Sequence, residues 1–132
     1  MKPTLSKIAG KLNGNIKWYL VGSANLSLRG AEVDVRDLDI LTDEAGAQKF
    51  REIFQSEFRH IDGLKQSQIY EIYTFLVEVF SANQLNVTPN IMEIGGQKIP
   101  LMPLKELKVL YEKKGTSNRQ KDIEELQESI RS

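Results

Sequence analysis

Apolar and polar positions alternate along the chain in two periods, and the switches between them predict the elements. Leu5, Ile8, Ala9 and Leu12 recur at i, i+3, i+4 and i+7, one helical face, and Asn13-Gly14-Asn15 ends that segment with turn residues. Residues 16–21 (Ile-Lys-Trp-Tyr-Leu-Val) are short, aromatic and β-branched, and with Gly14 and Gly22 around them they predict a buried strand. Ser23 is placed to cap a short helix over Ala24 to Leu28, which Gly30 stops. Residues 37–42 (Asp-Leu-Asp-Ile-Leu-Thr) predict the second strand. A long helix over 44–58 follows, with Ala47, Phe50, Ile53, Phe54 and Phe58 on one side.

Beyond the Ile61-Asp62-Gly63 turn, residues 69–81 are rich in β-branched and aromatic side chains and predict a long strand or a hairpin. Residues 91–102 predict a small hairpin around Gly95-Gly96. Two helices close the pattern: 103–114, starting at Pro103, and 117–130, with Ile123, Leu126 and Ile130 on one face. Helices and strands interleave, so the expected class is α/β (α+β), a mixed β-sheet flanked by helices.

Length narrows this to one unit. A chain of 132 residues supports one ordinary core, and no repeat, low-complexity run or linker divides it, so a single domain over 1–132 is expected. Hydrophobic residues at 40% and charged residues at 27% exclude a disordered or membrane-embedded composition. No apolar run approaches the roughly 20 residues that span a bilayer, and residues 1–14 are amphipathic rather than signal-like, so a cytoplasmic protein is expected. Cysteine is absent, which excludes disulfides and thiolate metal sites. The triplets Asn25-Leu26-Ser27 and Asn86-Val87-Thr88 are then chance matches to a glycosylation signal. The formal net charge is zero, so no whole-molecule field favours nucleic acid or a membrane surface. Charge is uneven only locally: Lys105, Lys108, Lys113, Lys114, Arg119 and Lys121 outnumber Glu106 and Glu112 between positions 105 and 121.

The chemistry is concentrated in residues 19–43. Residues two apart on a strand share a face, so Asp37 and Asp39 point one way and Leu38 and Ile40 the other. Paired carboxylates repel unless a cation lies between them, and Mg²⁺ is commonly held by one or two carboxylates together with substrate phosphates. The plain alternative is an edge strand with one solvated polar face. Against it stands the preceding turn, where Gly22 permits a close approach and Ser23 opens a helix whose free N–H groups favour phosphate.

Val21-Gly22-Ser23, a gap from Ala24 to Arg36, and Asp37-Leu38-Asp39-Ile40 resemble the motif of the DNA polymerase beta superfamily of nucleotidyltransferases, especially its minimal single-domain members. Leu28-Arg29-Gly30 resembles the Arg-Gly that ends the short helix in such proteins, whereas Arg36 stands where many carry Ser. The resemblance implies the nucleotidyltransferase fold and a third carboxylate on a later strand. Glu78 is the candidate, an acid in an apolar strand with Val77 and Val79 facing away; Glu71 is second, and a solvent-facing stripe is the plain alternative. The tail, with Lys114, Arg119, Lys121 and Asp122, resembles relatives of antibiotic- and phage-resistance nucleotidyltransferases. It implies that Arg119 and Lys121 contact a triphosphate, that Asp122 positions them, and that Lys114 is a weaker contributor.

The implied reaction is Mg-dependent transfer of a nucleoside monophosphate from an NTP to a hydroxyl of a protein or small molecule, with pyrophosphate released. Asp37 and Asp39 would hold two Mg²⁺ ions, Glu78 would ligate one of them, and Gly22 and Ser23 would cradle phosphates. Implied partners are a toxin of the HEPN class or a second copy in a homodimer; neutral charge points away from nucleic acid. The alternatives are a non-catalytic nucleotide-binding or antitoxin-like module and a plain interaction domain. No Walker loop, Gly-X-Gly-X-X-Gly or His-Glu-X-X-His occurs. His60, the one histidine, is expected at the surface or in packing, and Trp18 in the core.

Overall fold

Strand periods that the sequence separates by up to tens of residues meet in one seven-stranded mixed sheet. The computed structural model describes residues 1–55, 58–61, 67–82, 85–114 and 123–124. In chain order the elements are α1 (Lys2–Leu12), β1 (Trp18–Val21), α2 (Gly22–Leu28), β2 (Asp37–Thr42), α3 (Glu44–Ile53), β3 (Phe58–Ile61), β4 (Ser67–Ile72), β5 (Phe75–Ser81), β6 (Asn90–Ile94), β7 (Gln97–Leu101) and α4 (Leu104–Lys114). The strands lie in the order β3-β4-β5-β2-β1-β7-β6. β2 runs parallel to β5 and antiparallel to β1, and β1 runs parallel to β7. The remaining pairs, β3-β4, β4-β5 and β6-β7, are antiparallel.

Alternation along the strands sorts the apolar side chains into two layers. Trp18, Leu20, Leu38, Ile40, Val77 and Val79 are buried with Leu5, Ile8 and Leu12 of α1 and with Phe50 and Phe54 from α3 and its C-cap. Tyr19, Val21 and Leu41 are buried with Leu26, with Leu104, Leu107 and Tyr111 of α4, and with Ile123. Beside Ile123, Glu124 Oε1 lies 3.4 Å from Lys108 Nζ. The expected helix over 117–130 is described only at 123–124. Among the described residues no helix is long and apolar enough to cross a membrane.

Most predicted elements are present; two differ, and 69–81 takes the hairpin form of the two expected for it. The helix expected over 44–58 ends at Ile53, and Phe58 belongs to β3, opposite Ile72. Phe50 and Phe54 already complete the helix's buried stripe, and the next segment instead pairs the outer edge of β4, which would otherwise be open. The 69–81 segment is a hairpin, turning at Tyr73 and Thr74, both at positive φ (51° and 66°) as a two-residue hairpin turn of the primed type requires. The short helix begins at Gly22 rather than after a Ser23 cap: Val21 is the cap residue and no side chain caps the helix. Ser23 therefore lies inside the first turn, where its own amide is among those without a helical partner.

Candidate active site

Parallel pairing of β2 with β5 sets Asp39 opposite Glu78 and Asp37 opposite Leu76. The alternation that places Asp37 and Asp39 on one face places Glu78 on that face too. One carboxylate oxygen from each of the three residues lies within 4.8 Å of the other two, and all three side chains are half-buried. Glu71, the second candidate, sits on β4 opposite Leu76, one strand further from β2, and is outside the cluster. Glu78 is thus the third acid that the structure brings to the pair.

Gly22 explains how the turn and the acids share space. Its φ is +72°, and a Cβ built there would meet Asp39 Oδ2 at 2.1 Å. The missing side chain is where the Asp39 carboxylate lies, so glycine is needed for both conformation and room. Ser23, only 5% exposed, lines a polar cavity of about 270 Å³ with Asp34, Arg36 and Asp37. Arg36, noted in the sequence for its departure from serine, thus borders the site. Asp34 was not legible as a site residue; it lies on the loop before β2, and only the fold brings it to Ser23.

A polar knot holds α2 in place. Asn25, fully buried, donates from Nδ2 to the carbonyls of Leu20 (2.7 Å) and Met102 (3.0 Å). Its Oδ1 accepts from Arg29 Nε at 2.9 Å, and Arg29 also donates to the Met102 carbonyl (3.0 Å) and to Asn90 Oδ1 (2.9 Å). Burial lowers the Arg29 pKa from its ordinary value. These bonds tie the helix carrying Ser23 to the end of β1 and to the entrance of α4.

The remaining candidates are scattered or undescribed. Trp18 is core, 3% exposed, with Nε1 donating to Asn13 Oδ1 at 3.0 Å. His60 falls on β3, its side chain outside the described residues. Arg119, Lys121 and Asp122, and the side chain of Lys114, also lie outside them.

An all-oxygen set of three converging carboxylates suits a hard divalent cation such as Mg²⁺ and lacks the nitrogen or sulfur donors that zinc or copper sites favour. The cation would offset the repulsion that three acids this close impose on one another.

Comparison with known proteins defines the fold. The sequence matches no protein-family model and no curated protein. Its structure is similar to that of a candidate nucleotidyltransferase from Thermotoga maritima, with 23% identity, 96% of this chain and 92% of that one covered, and a TM-score of 0.73. It is also similar to the lincosamide antibiotic adenylyltransferase LnuA in its lincomycin-bound form, with 14% identity, 96% of both chains covered and a TM-score of 0.70. A third likeness is to ANT(2'')-Ia in complex with adenylyl-2''-tobramycin, with 12% identity, 98% of this chain and 94% of that one covered, and a TM-score of 0.60. The chain has the α/β nucleotidyltransferase fold.

Proposed function

We propose that the protein transfers a nucleoside monophosphate from a Mg-bound NTP to a hydroxyl of a small molecule or protein. The observation that carries this reading is the convergence of Asp37, Asp39 and Glu78 beside Gly22-Ser23, in a fold it has in common with two antibiotic adenylyltransferases. Asp37 and Asp39 would hold two Mg²⁺ ions and Glu78 the one nearer the acceptor. Bound magnesium supplies charge neutralisation for the phosphates and polarises the attacking oxygen.

The chain's own groups divide the remaining work. Ser23 and Arg36, in the polar cavity next to Asp37, donate hydrogen bonds to phosphate oxygens. Arg119 and Lys121 are assigned to the triphosphate from the sequence. The acceptor oxygen forms a bond to the α-phosphorus as the bond from that phosphorus to the bridging oxygen of pyrophosphate breaks, and the hydroxyl proton passes to Glu78 or to water. Pyrophosphate leaves. The alternative acceptor arrangements are a hydroxyl carried by a partner of the HEPN class and a small molecule framed by a second copy of the chain.

Calorimetric titration of Mg-ATP into the wild type and Asp39→Asn tests the site. Binding that needs metal and is lost in the variant supports it, and equal binding by both proteins overturns it. Pyrophosphate release with an acceptor present separates an enzyme from a module that only binds nucleotide.

A further inference from the structure

Two cavities of unlike character flank the carboxylates along β2. On the N-terminal side is the polar cavity of Ser23, Asp34, Arg36 and Asp37. On the C-terminal side lies a second cavity of about 300 Å³ whose described lining is mostly apolar: Leu41, Leu85, Met102, Val109 and Leu110 among others. Asp37, Asp39 and Leu41 share a face of β2, so Leu41 follows Asp39 at roughly 7 Å along the strand. Ala82, beyond the end of β5, lines the same cavity and lies on the continuation of the face that carries Glu78. The acids thus stand between a polar chamber and an apolar one.

In-line displacement at phosphorus needs its leaving and attacking oxygens on opposite sides of the reacting atom. Ser23 and Arg36 offer donors in the polar chamber, and a cation held there would offset Asp34 and Asp37, so that chamber suits the phosphate tail that departs as pyrophosphate and the opposite side is left to the attacker. Resting on the nucleotidyltransferase reading above, we propose that the apolar cavity under α4 holds the body of the acceptor, and that this acceptor is a small molecule with a hydroxyl on an apolar, weakly charged scaffold. The charge of the lining agrees with that class. Lys105 and Glu106 contribute one charge of each sign, whereas recognition of a polycation calls for several converging acids. An aliphatic wall gains by excluding water from apolar surface and gives an amine-rich ligand nothing to replace its hydration.

The test is a titration of ¹⁵N-labelled protein followed by amide chemical shifts, with cyclohexylmethanol as the apolar hydroxyl probe and tobramycin as the polycationic one. It is run with and without Mg²⁺ and the non-hydrolysable α,β-methylene analogue of ATP. The expected result is that cyclohexylmethanol moves the amides of Leu41, Met102 and Val109 at millimolar concentration whether or not the analogue is present, and that tobramycin leaves them in place. Val109 is 46% exposed on α4, so Val109→Asp leaves the core intact and is expected to weaken the probe at least about tenfold by putting a charge on the wall. Displacement of the probe by the analogue would give the cavity to the nucleoside and overturn the proposal. So would absence of shifts at these amides, an unaltered Val109→Asp, or equal binding of tobramycin there. The analogue's own shifts at Ser23 and Asp37 keep the two readings separate. If they are present and the probe fails, only the acceptor assignment falls; if they are absent, the transferase reading falls and takes the assignment with it.

Discussion

The two faces of β2 are built from neighbouring residues and obey opposite demands. Leu38 and Ile40 are fully buried against α1 and α3, where complementary volume is what matters. Asp37 and Asp39, each one position away from them, stand half-buried beside Glu78, gathering like charge without contributing apolar burial. The first face secures the fold, and the acid end of the second adds charge in place of apolar burial, which is the division expected where a working site is placed on a rigid scaffold. Substitutions on one face should therefore register in unfolding and those on the other in nucleotide binding.

The largest effect is expected for Asp39→Asn, which should reduce metal-dependent nucleotide binding or turnover by at least about a hundredfold, measured by calorimetry and pyrophosphate release. Its urea midpoint should stay level or rise because one of three crowded charges is gone; a protein that unfolds more easily while binding normally would reverse the assignment of faces. Next is Leu38→Ala, with a stability loss of about 2–5 kcal/mol in urea denaturation and unchanged nucleotide affinity of the folded fraction. Gly22→Ala should cross the division. The left-handed backbone costs about 1–2 kcal/mol, and the new methyl must push the Asp39 carboxylate aside, so stability and nucleotide affinity fall together. Loss of stability alone would show that the carboxylate's position does not matter.

The smallest effect concerns pH and the apolar face. Burial raises the Tyr70 pKa above the ordinary 10.0, with Arg51 opposing it. The stabilisation is complete below pH 10 and is lost above it, because the unfolded phenol ionises first. Tyr70→Phe should flatten that alkaline decline in a series of denaturation curves, and an equally steep decline in the variant would assign it to other groups.

Much of this division was legible in the sequence because it depends on period. A spacing of two separates Asp37 and Asp39 from Leu38 and Ile40 without any coordinates, and Glu78 stands out as an acid between valines. The helical face of Leu5, Ile8, Ala9 and Leu12 is likewise buried as its spacing requires. Periodicity misled at Phe58, which continues the spacing of Phe50 and Phe54 but pairs with β4: a run of local intervals cannot report an unpaired strand edge elsewhere. The start of α2 was misplaced because Gly22 adopts a backbone region in which the chain turns from strand into helix at once. Strand order, the approach of Asp34 to Ser23 and the apolar chamber under α4 depend on contacts between distant segments, which no local pattern encodes.

The pairing of Asp39 with Glu78 also has a temporal consequence. The two acids are separated in the chain by α3 and the antiparallel β3-β4 pair, and the second arrives on a strand that must insert next to β2 in parallel register. During synthesis, a nascent chain that has not yet released β5 from the ribosome presents Asp37 and Asp39 without Glu78 and cannot complete the acid cluster. An ion held by all three acids would therefore bind only after β5 has joined the β3-β4 pair to β2, while β6 and β7, the latter a partner of β1, still follow in the chain.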